Sequence, residues 1–290
     1  MKKLFSIVIC VMALLFSGCS NVCKAKDGQA DILKSKAFSV SASKQVTFSK
    51  GNLQYTQSTN TWSFASTQWE VIGTDNVTGG RRSSGQYGVS KRGTALADKI
   101  DLFGWSGSTG SAKFGVSTSI DYSDYSGSFV DWGTNKIGAD APNTWRTLTD
   151  YEWNYLLKAR PNAGYLKGVA KVNGVHGLIL LPDNWSCPSG ITFKSGFHIN
   201  YNTEDSDFAA CQTFTADQWS KLEAAGAVFL PAAGYRRGSH VSYVQENGYY
   251  WSATEYDRSL AYHLYFCSGG ASMCNYYRHY GRSVRLVKDL

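Results

Sequence analysis

Gly248-Tyr249-Tyr250-Trp251-Ser252-Ala253-Thr254, Ala261-Tyr262-His263-Leu264-Tyr265-Phe266-Cys267 and Arg282-Ser283-Val284-Arg285-Leu286-Val287-Lys288 follow one another near the C-terminus and read as short strands. The middle one alternates. Tyr262, Leu264 and Phe266 fall on one face, which suits a core, and His263, Tyr265 and Cys267 fall on the other. The segment after it reads as a loop in which Cys274, Tyr276, Tyr277 and His279 are interleaved with Gly269, Gly270, Arg278 and Gly281. Ten of the eighteen tyrosines lie between Tyr235 and Tyr280. Tyrosine offers a large, stiff surface with a polar tip at low entropic cost, so this density points to recognition more than to chemistry.

Working outward, Ala227 to Pro231 is a further strand. Two helices precede it. Thr149-Asp150-Tyr151-Glu152 is a capping box, followed by the stripe Trp153, Leu156, Leu157 and a stop at Arg160-Pro161. Thr215-Ala216-Asp217-Gln218 repeats the device, with Trp219 and Leu222 inward and Gly226 at the end. Between them, Val169 to Leu181 reads as a hairpin turning at Asn173-Gly174. The N-terminal portion is β-rich, with period-two patterns at Phe38, Val40 and Ala42, at Val46 and Phe48, and at Leu53 and Tyr55. Trp62-Ser63-Phe64 and Trp69-Glu70-Val71-Ile72 continue it, with turns at Gly51-Asn52 and Thr59-Asn60. Residues 74–144 are Gly-, Ser-, Asp- and Asn-rich and suggest long loops pinned by buried aromatics: Phe103, Trp105, Phe114, Tyr122, Phe129 and Trp132. Two helices packed on short, bent antiparallel sheets make an α+β fold.

At the N-terminus, Lys2-Lys3 and the apolar run Leu4 to Phe16 form a signal peptide, residues 1–18, too short to span a bilayer. Phe16-Ser17-Gly18-Cys19 resembles a bacterial lipobox, which implies cleavage before Cys19 and a lipid on its sulfur. Residues 19–36 read as a tether, polar and lysine-rich from Ser20, and 37–290 as a single domain with its display region at 235–282. Loss of Lys2 and Lys3 lowers the formal charge from +7 to +5. With no basic run or arginine stripe, nucleic acid is not an expected partner. Cys187–Cys211 and Cys267–Cys274 are the disulfide pairings nearest in sequence, with the connectivity open. No CxxC or Cys/His metal spacing occurs, so no metal is expected, and structural calcium in the loops stays open.

Trp145-Arg146-Thr147-Leu148-Thr149 with Glu152-Trp153, Gly177-Leu178-Ile179-Leu180-Leu181-Pro182-Asp183-Asn184-Trp185, Leu230-Pro231-Ala232-Ala233-Gly234-Tyr235-Arg236, Gly248 to Thr254 and Ser283-Val284-Arg285 occur in that order. Together they resemble Bacteroidetes lipoproteins with a Fibrobacter succinogenes major paralogous domain. The resemblance implies a C-type-lectin-like fold of the formylglycine-generating-enzyme subtype, and a lipid-anchored outer-membrane protein whose membrane face is left open. The same subtype includes the variable proteins of diversity-generating retroelements, which display mutable residues on a fixed framework to hold a ligand. Tyr235, Tyr249 and Tyr250 lie within the shared motifs and are therefore expected in the framework, with Trp251, Leu264, Phe266, Val284 and Leu286.

The expected contact set for a protein or glycan ligand is His240, Tyr243, Tyr256, Asp257, Arg258, His263, Tyr265, Cys267, Cys274, Tyr276, Tyr277 and His279. Two alternatives accompany it: a structural subunit of a surface assembly, and an oxidase. The formylglycine-generating enzyme binds copper through two cysteines. Here His279, not cysteine, stands five residues after Cys274, so no catalytic residue is assigned and no cofactor is expected. Gly79-Gly80-Arg81-Arg82-Ser83-Ser84-Gly85 lacks the ending of a P-loop and reads as an exposed basic loop. His176 and His198 read as structural, and Glu204-Asp205 and Glu255/Asp257 have no partner fixed by spacing. The calcium motifs of sugar-binding C-type lectins, Glu-Pro-Asn and Trp-Asn-Asp, do not occur, and Gln245-Glu246-Asn247 does not replace them.

Overall fold

The computed structural model describes residues 36–73, 98–197, 208 and 211–290. The signal peptide, Cys19, the tether up to residue 35, the basic loop at 79–85, His198 and Glu204-Asp205 lie outside the described residues. No helix among the described residues is long and apolar enough to cross a membrane.

The fold is mixed α+β. Both capping boxes form: Thr149 and Glu152 open helix α1 (Asp150–Asn154), and Thr215 and Gln218 open helix α2 (Ala216–Ala224). A π-helical turn, Tyr155–Ala159, continues α1 and brings Leu156 and Leu157 inward beside Trp153. It ends at Arg160, whose guanidinium is buried and paired with Asp183 at 2.9 Å. Strands β7 (Lys167–Val172) and β8 (Val175–Leu180) make the expected hairpin. Asn173 and Gly174 both take positive φ, 45° and 81°, as a tight two-residue turn requires. Strand β10 (Val228–Pro231) pairs with β8, and β9 (Gln212–Phe214) pairs in parallel with β7. Leu178, Ile179 and Leu180 are consequently buried on both faces.

At the N-terminal end, β1 (Phe38–Ser39) and β2 (Gln45–Phe48) share a sheet with β6 (Arg146–Thr147) and the last strand, β16 (Leu286–Asp289). Gly51-Asn52 does not turn a hairpin. The chain passes there into a second small sheet of β3 (Leu53–Thr56), β4 (Thr61–Phe64) and β5 (Lys99–Ile100). Trp69 to Ile72 is irregular, although Val71 and Ile72 are buried. In the loops that follow, Phe103, Trp105 and Trp132 are fully buried as expected. Tyr122 is not: it is 45% exposed, and Tyr125 fills the interior instead.

Two hairpins carry the aromatic segment. Strands β11 (Tyr235–Arg237) and β12 (His240–Ser242) form the first. The second is extended by a strand that the sequence concealed. After β13 (Gly248–Glu255) and β14 (Leu260–Cys267), residues Gly270–Tyr277 form β15, in unbroken register with β14. Its glycine-led, polar sequence reads as a loop, yet Ala271 and Met273 alternate onto the core beside Leu264 and Phe266. Beyond it, Gly281 to Val284 is not a strand but a spine crossing four elements. Gly281 bridges to Arg236, Arg282 to Phe103 and Ser283 to Tyr250, and Val284 accepts a hydrogen bond from the Leu53 amide.

Candidate functional site

That spine decides where the buried arginines go. Arg236, Arg278, Arg282 and Arg285 are all fully buried, and three of them spend their donors. Arg278 lies 4.3 Å over the Trp105 ring and donates to the carbonyls of Gly127 and Asp257, with Glu255 at 2.8 Å. Arg285 donates to Asn52 Oδ1 and Gln68 Oε1. Arg236 donates to the carbonyls of Ser117, Gly238 and Leu102. Among the described residues, Arg236 and Arg285 each leave only Nε unpaired, whereas Arg282 leaves both Nε and Nη1. Around Arg282 stand the rings of Tyr249 and Trp251 at 4.9 Å, Tyr276 at 5.6 Å and Tyr280 at 6.0 Å. Burial pulls the Arg282 pKa down to about 10, against the neighbouring tyrosines and Cys274.

The tyrosines form one contiguous sheet of rings. Tyr235 meets Tyr243 at 5.7 Å, Tyr249 at 5.4 Å and Tyr280 at 5.2 Å. Tyr249 continues to Tyr265 at 5.3 Å, and Tyr280 to Tyr276 at 4.8 Å. Tyr276 adjoins Tyr277, and Tyr277 meets Tyr122, both at 5.1 Å. The outer members, Tyr122, Tyr243, Tyr276 and Tyr277, are 37–47% exposed. Burial raises Tyr249 and Tyr280 to about 12 and pushes Tyr265 up further. These phenols stay protonated at neutral pH and offer O–H donors from an apolar sheet.

Of the contact residues read from the sequence, Tyr243, Tyr265, Tyr276 and Tyr277 come together here. Cys267 and Cys274 lie half-buried on the same strand face as Tyr265, with Cys274 Sγ 3.5 Å from Ser272 Oγ. His263 and His279 do not face solvent. His263 packs between Tyr249 and Trp251, and burial holds its pKa well below the usual histidine value. His279 is wedged among Tyr122, Tyr277 and Tyr280, and burial, then Arg237 and Arg236, lower it to about 4. Both rings are neutral supports. Tyr256, Asp257 and Arg258 are exposed at the β13–β14 turn, beside the Leu260–Tyr277 pair at the end of β15. Tyr256 packs on Tyr262, on the opposite face of β14 from Tyr265, and Asp257 accepts the amides of Ser259 and Leu260 to shape the turn. His240 sits exposed at the β11–β12 turn.

Tyr235 and Tyr249 are half-buried inner rings of the sheet of tyrosines, while Tyr250 is core. The sequence reads Tyr122 as a buried loop aromatic and Arg282 as a strand residue, and neither as part of the site. Nothing local in Tyr122-Ser123-Asp124-Tyr125 says which tyrosine is buried, and Arg282 lay inside an apparent strand. Neither of the two pairings nearest in sequence forms among the described residues: Cys187, Cys267 and Cys274 are free thiols. Cys267 pairs with Gly270 and Cys274 with His263, so four strand residues, about 13 Å, separate the two half-sites. Among the described residues no three His, Cys, Asp or Glu side chains converge as a metal site would need. A groove of about 530 Å³ beside Lys36, lined by Phe48, Phe64 and Trp145, holds none of the contact set.

A family model described as a domain of unknown function, DUF8237, matches residues 204–287. The matched segment contains every tyrosine of the ring sheet except Tyr122, and it contains Arg282. No curated protein and no solved structure matches the chain.

Proposed function

We propose that this chain is a non-enzymatic, lipid-anchored protein of the bacterial outer membrane, with a C-type-lectin-like fold, that binds a protein or glycan through its tyrosine face. The observation that carries the reading is the exposed edge of a continuous ring sheet: Tyr122, Tyr243, Tyr276 and Tyr277 offer apolar faces and phenol donors on two hairpins and a pinned loop. Such a surface loses little entropy on binding, because the inner rings already hold the outer ones. The small antiparallel sheets, two short capped helices and aromatic-pinned loops support the fold subtype.

The test is binding of the purified full chain to a glycan array and a panel of surface proteins. The double variant Tyr276→Ala/Tyr277→Ala should lose at least about tenfold in affinity, a hot-spot effect. Tyr165→Ala, 75% exposed but outside the ring sheet, should lose nothing. Equal losses for both would remove the assignment to this face. Retroelement diversification of the same surface has its own test: a near-copy of the gene's 3′ end, differing at adenines, beside a reverse transcriptase.

The oxidase reading has less support, since Cys274 stands opposite His263, and His279 is enclosed by tyrosines. Stoichiometric copper(I) binding that is lost in Cys274→Ser would revive it. A structural-subunit role would appear as a stable oligomer whose dissociation exposes the tyrosines.

A further inference from the structure

We infer that Arg282 anchors a single anionic group, a carboxylate or sulfate on an acidic sugar, which reaches the guanidinium past Tyr276; this rests on the ligand-binding reading of the tyrosine face. A ring attracts a guanidinium through its face, but it supplies no acceptor in the guanidinium plane, where the N–H bonds point. Arg278 shows the satisfied arrangement in this same protein. It stacks on Trp105 and also donates in its plane to Gly127 O, Asp257 O and Glu255. Arg282 has four rings and, among the described residues, no such acceptor on Nε or Nη1. A buried cation with neither carboxylate nor carbonyl on those atoms lowers stability unless something arrives to pair with it.

The neighbouring rings decide the route. Trp251 is fully buried, Tyr280 is 7% exposed and Tyr249 is held between Tyr235 and Tyr265. Tyr276, which packs on Tyr277 and Tyr280, is at 43% exposure near the end of β15 the most open of the four. A two-oxygen anion entering there can accept from Nε and a terminal nitrogen together, the pairing that suits a planar guanidinium. An acidic sugar fits the remainder of the surface. Its C–H face lies against Tyr276 or Tyr277, and its hydroxyls meet phenols that remain protonated. A flat protein interface would leave the recessed cation unmet.

Thermal melting of the full chain tests this with galacturonate, galactose 6-sulfate, galactose and tetraglutamate at matched ionic strength. The acidic sugars should raise the melting temperature more than galactose does, because a ligand of the folded state stabilises it. The two acidic sugars separate carboxylate from sulfate. In Arg282→Met the extra rise should vanish and the unliganded protein should melt higher than wild type, because an unpaired buried charge has been replaced by an apolar chain of similar length. Arg237→Gln, an exposed arginine on β11, should keep the response. If Arg282→Met does not melt cooperatively, Arg282→Lys, which lacks the planar fork, must lose the extra rise. Equal shifts for galactose and the acidic sugars, or an acidic-sugar response that survives in the Arg282 variant, overturns the inference while leaving the tyrosine face as a neutral binding surface. A tetraglutamate response as large as that of the acidic sugars overturns it in favour of a peptide ligand.

Discussion

The ring of Tyr122 stands edge-on to that of Tyr277, 5.1 Å centre to centre and at 64°, joining a loop from the first half of the chain to the last residue of β15. The loop is held for this contact. The Tyr125 hydroxyl donates to the carbonyls of Ser117 and Ser119, and Arg236 donates to Ser117 as well. Behind it, Arg278 ties Gly127 and Trp105 to the strand end.

A double-mutant cycle on this pair should therefore show coupling. Tyr122→Ala and Tyr277→Ala, made singly and together and followed by urea unfolding, should give about 0.5–1.5 kcal/mol of interaction, the range for such aromatic pairs. Strict additivity would mean the loop does not dock on the strand in solution.

Tyrosines of the outer edge and residues of the framework should separate cleanly in stability. Leu264 is fully buried on the core face of β14, and Leu264→Ala should cost about 2–5 kcal/mol. Tyr276→Ala and Tyr277→Ala, with 43% and 37% exposure, should cost under about 1 kcal/mol each. Tyr265→Ala should fall between them, because its ring rests on Tyr249. Chemical denaturation of the four variants provides the comparison, and a Tyr276 cost equal to that of Leu264 would place that ring in the core.

Acid should weaken the tyrosine face before it attacks the rest. Burial holds His279 at about 4, below its ordinary 6.5, so the folded protein keeps this imidazole neutral while the unfolded chain takes up a proton. The associated stability is complete above pH 6.5 and is lost as the pH falls towards about 4. His263, depressed for the same reason, acts in the same direction. At lower pH Glu152 adds to the loss, since its burial is outweighed by the Arg146 hydrogen bond and its pKa lies below 4.5. In His279→Phe, which keeps a ring among its neighbours, the melting temperature should fall less between pH 6.5 and 4. An unchanged slope would show that His279 is not the titrating group.

The thiols should react as thiols. Peptide mapping after alkylation without reductant should find no Cys267–Cys274 bond, because the β14–β15 register sets them four residues apart. Cys267→Ser and Cys274→Ser should leave the melting temperature within a few degrees of wild type, as neither side chain is fully buried. A recovered disulfide would require a different pairing of these strands.

Local chemistry was legible wherever it was self-contained. Thr149 with Glu152 and Thr215 with Gln218 announce helix starts, because a cap is completed within four residues. Asn173-Gly174 fixes a hairpin by backbone conformation alone. The inward run Leu264 and Phe266 follows from simple alternation. Strand β15 was not legible, because Gly270–Tyr277 takes its backbone partners from β14 and carries only Ala271 and Met273 to the core. The tyrosine-rich segment was visible as a recognition surface in outline, but its membership was not. Whether a tyrosine or histidine faces outward depends on what the remaining chain lays over it: Trp251 and Tyr249 enclose His263, and Tyr122, from a remote loop, closes over His279. The sequence alone determined two capped helices, a set of short strands and a density of tyrosine. Tertiary structure alone decided that three of those tyrosine rings and Trp251 surround Arg282 and that two of its nitrogens have no acceptor among the described residues, because burial and hydrogen-bond pairing arise between segments that no local spacing connects.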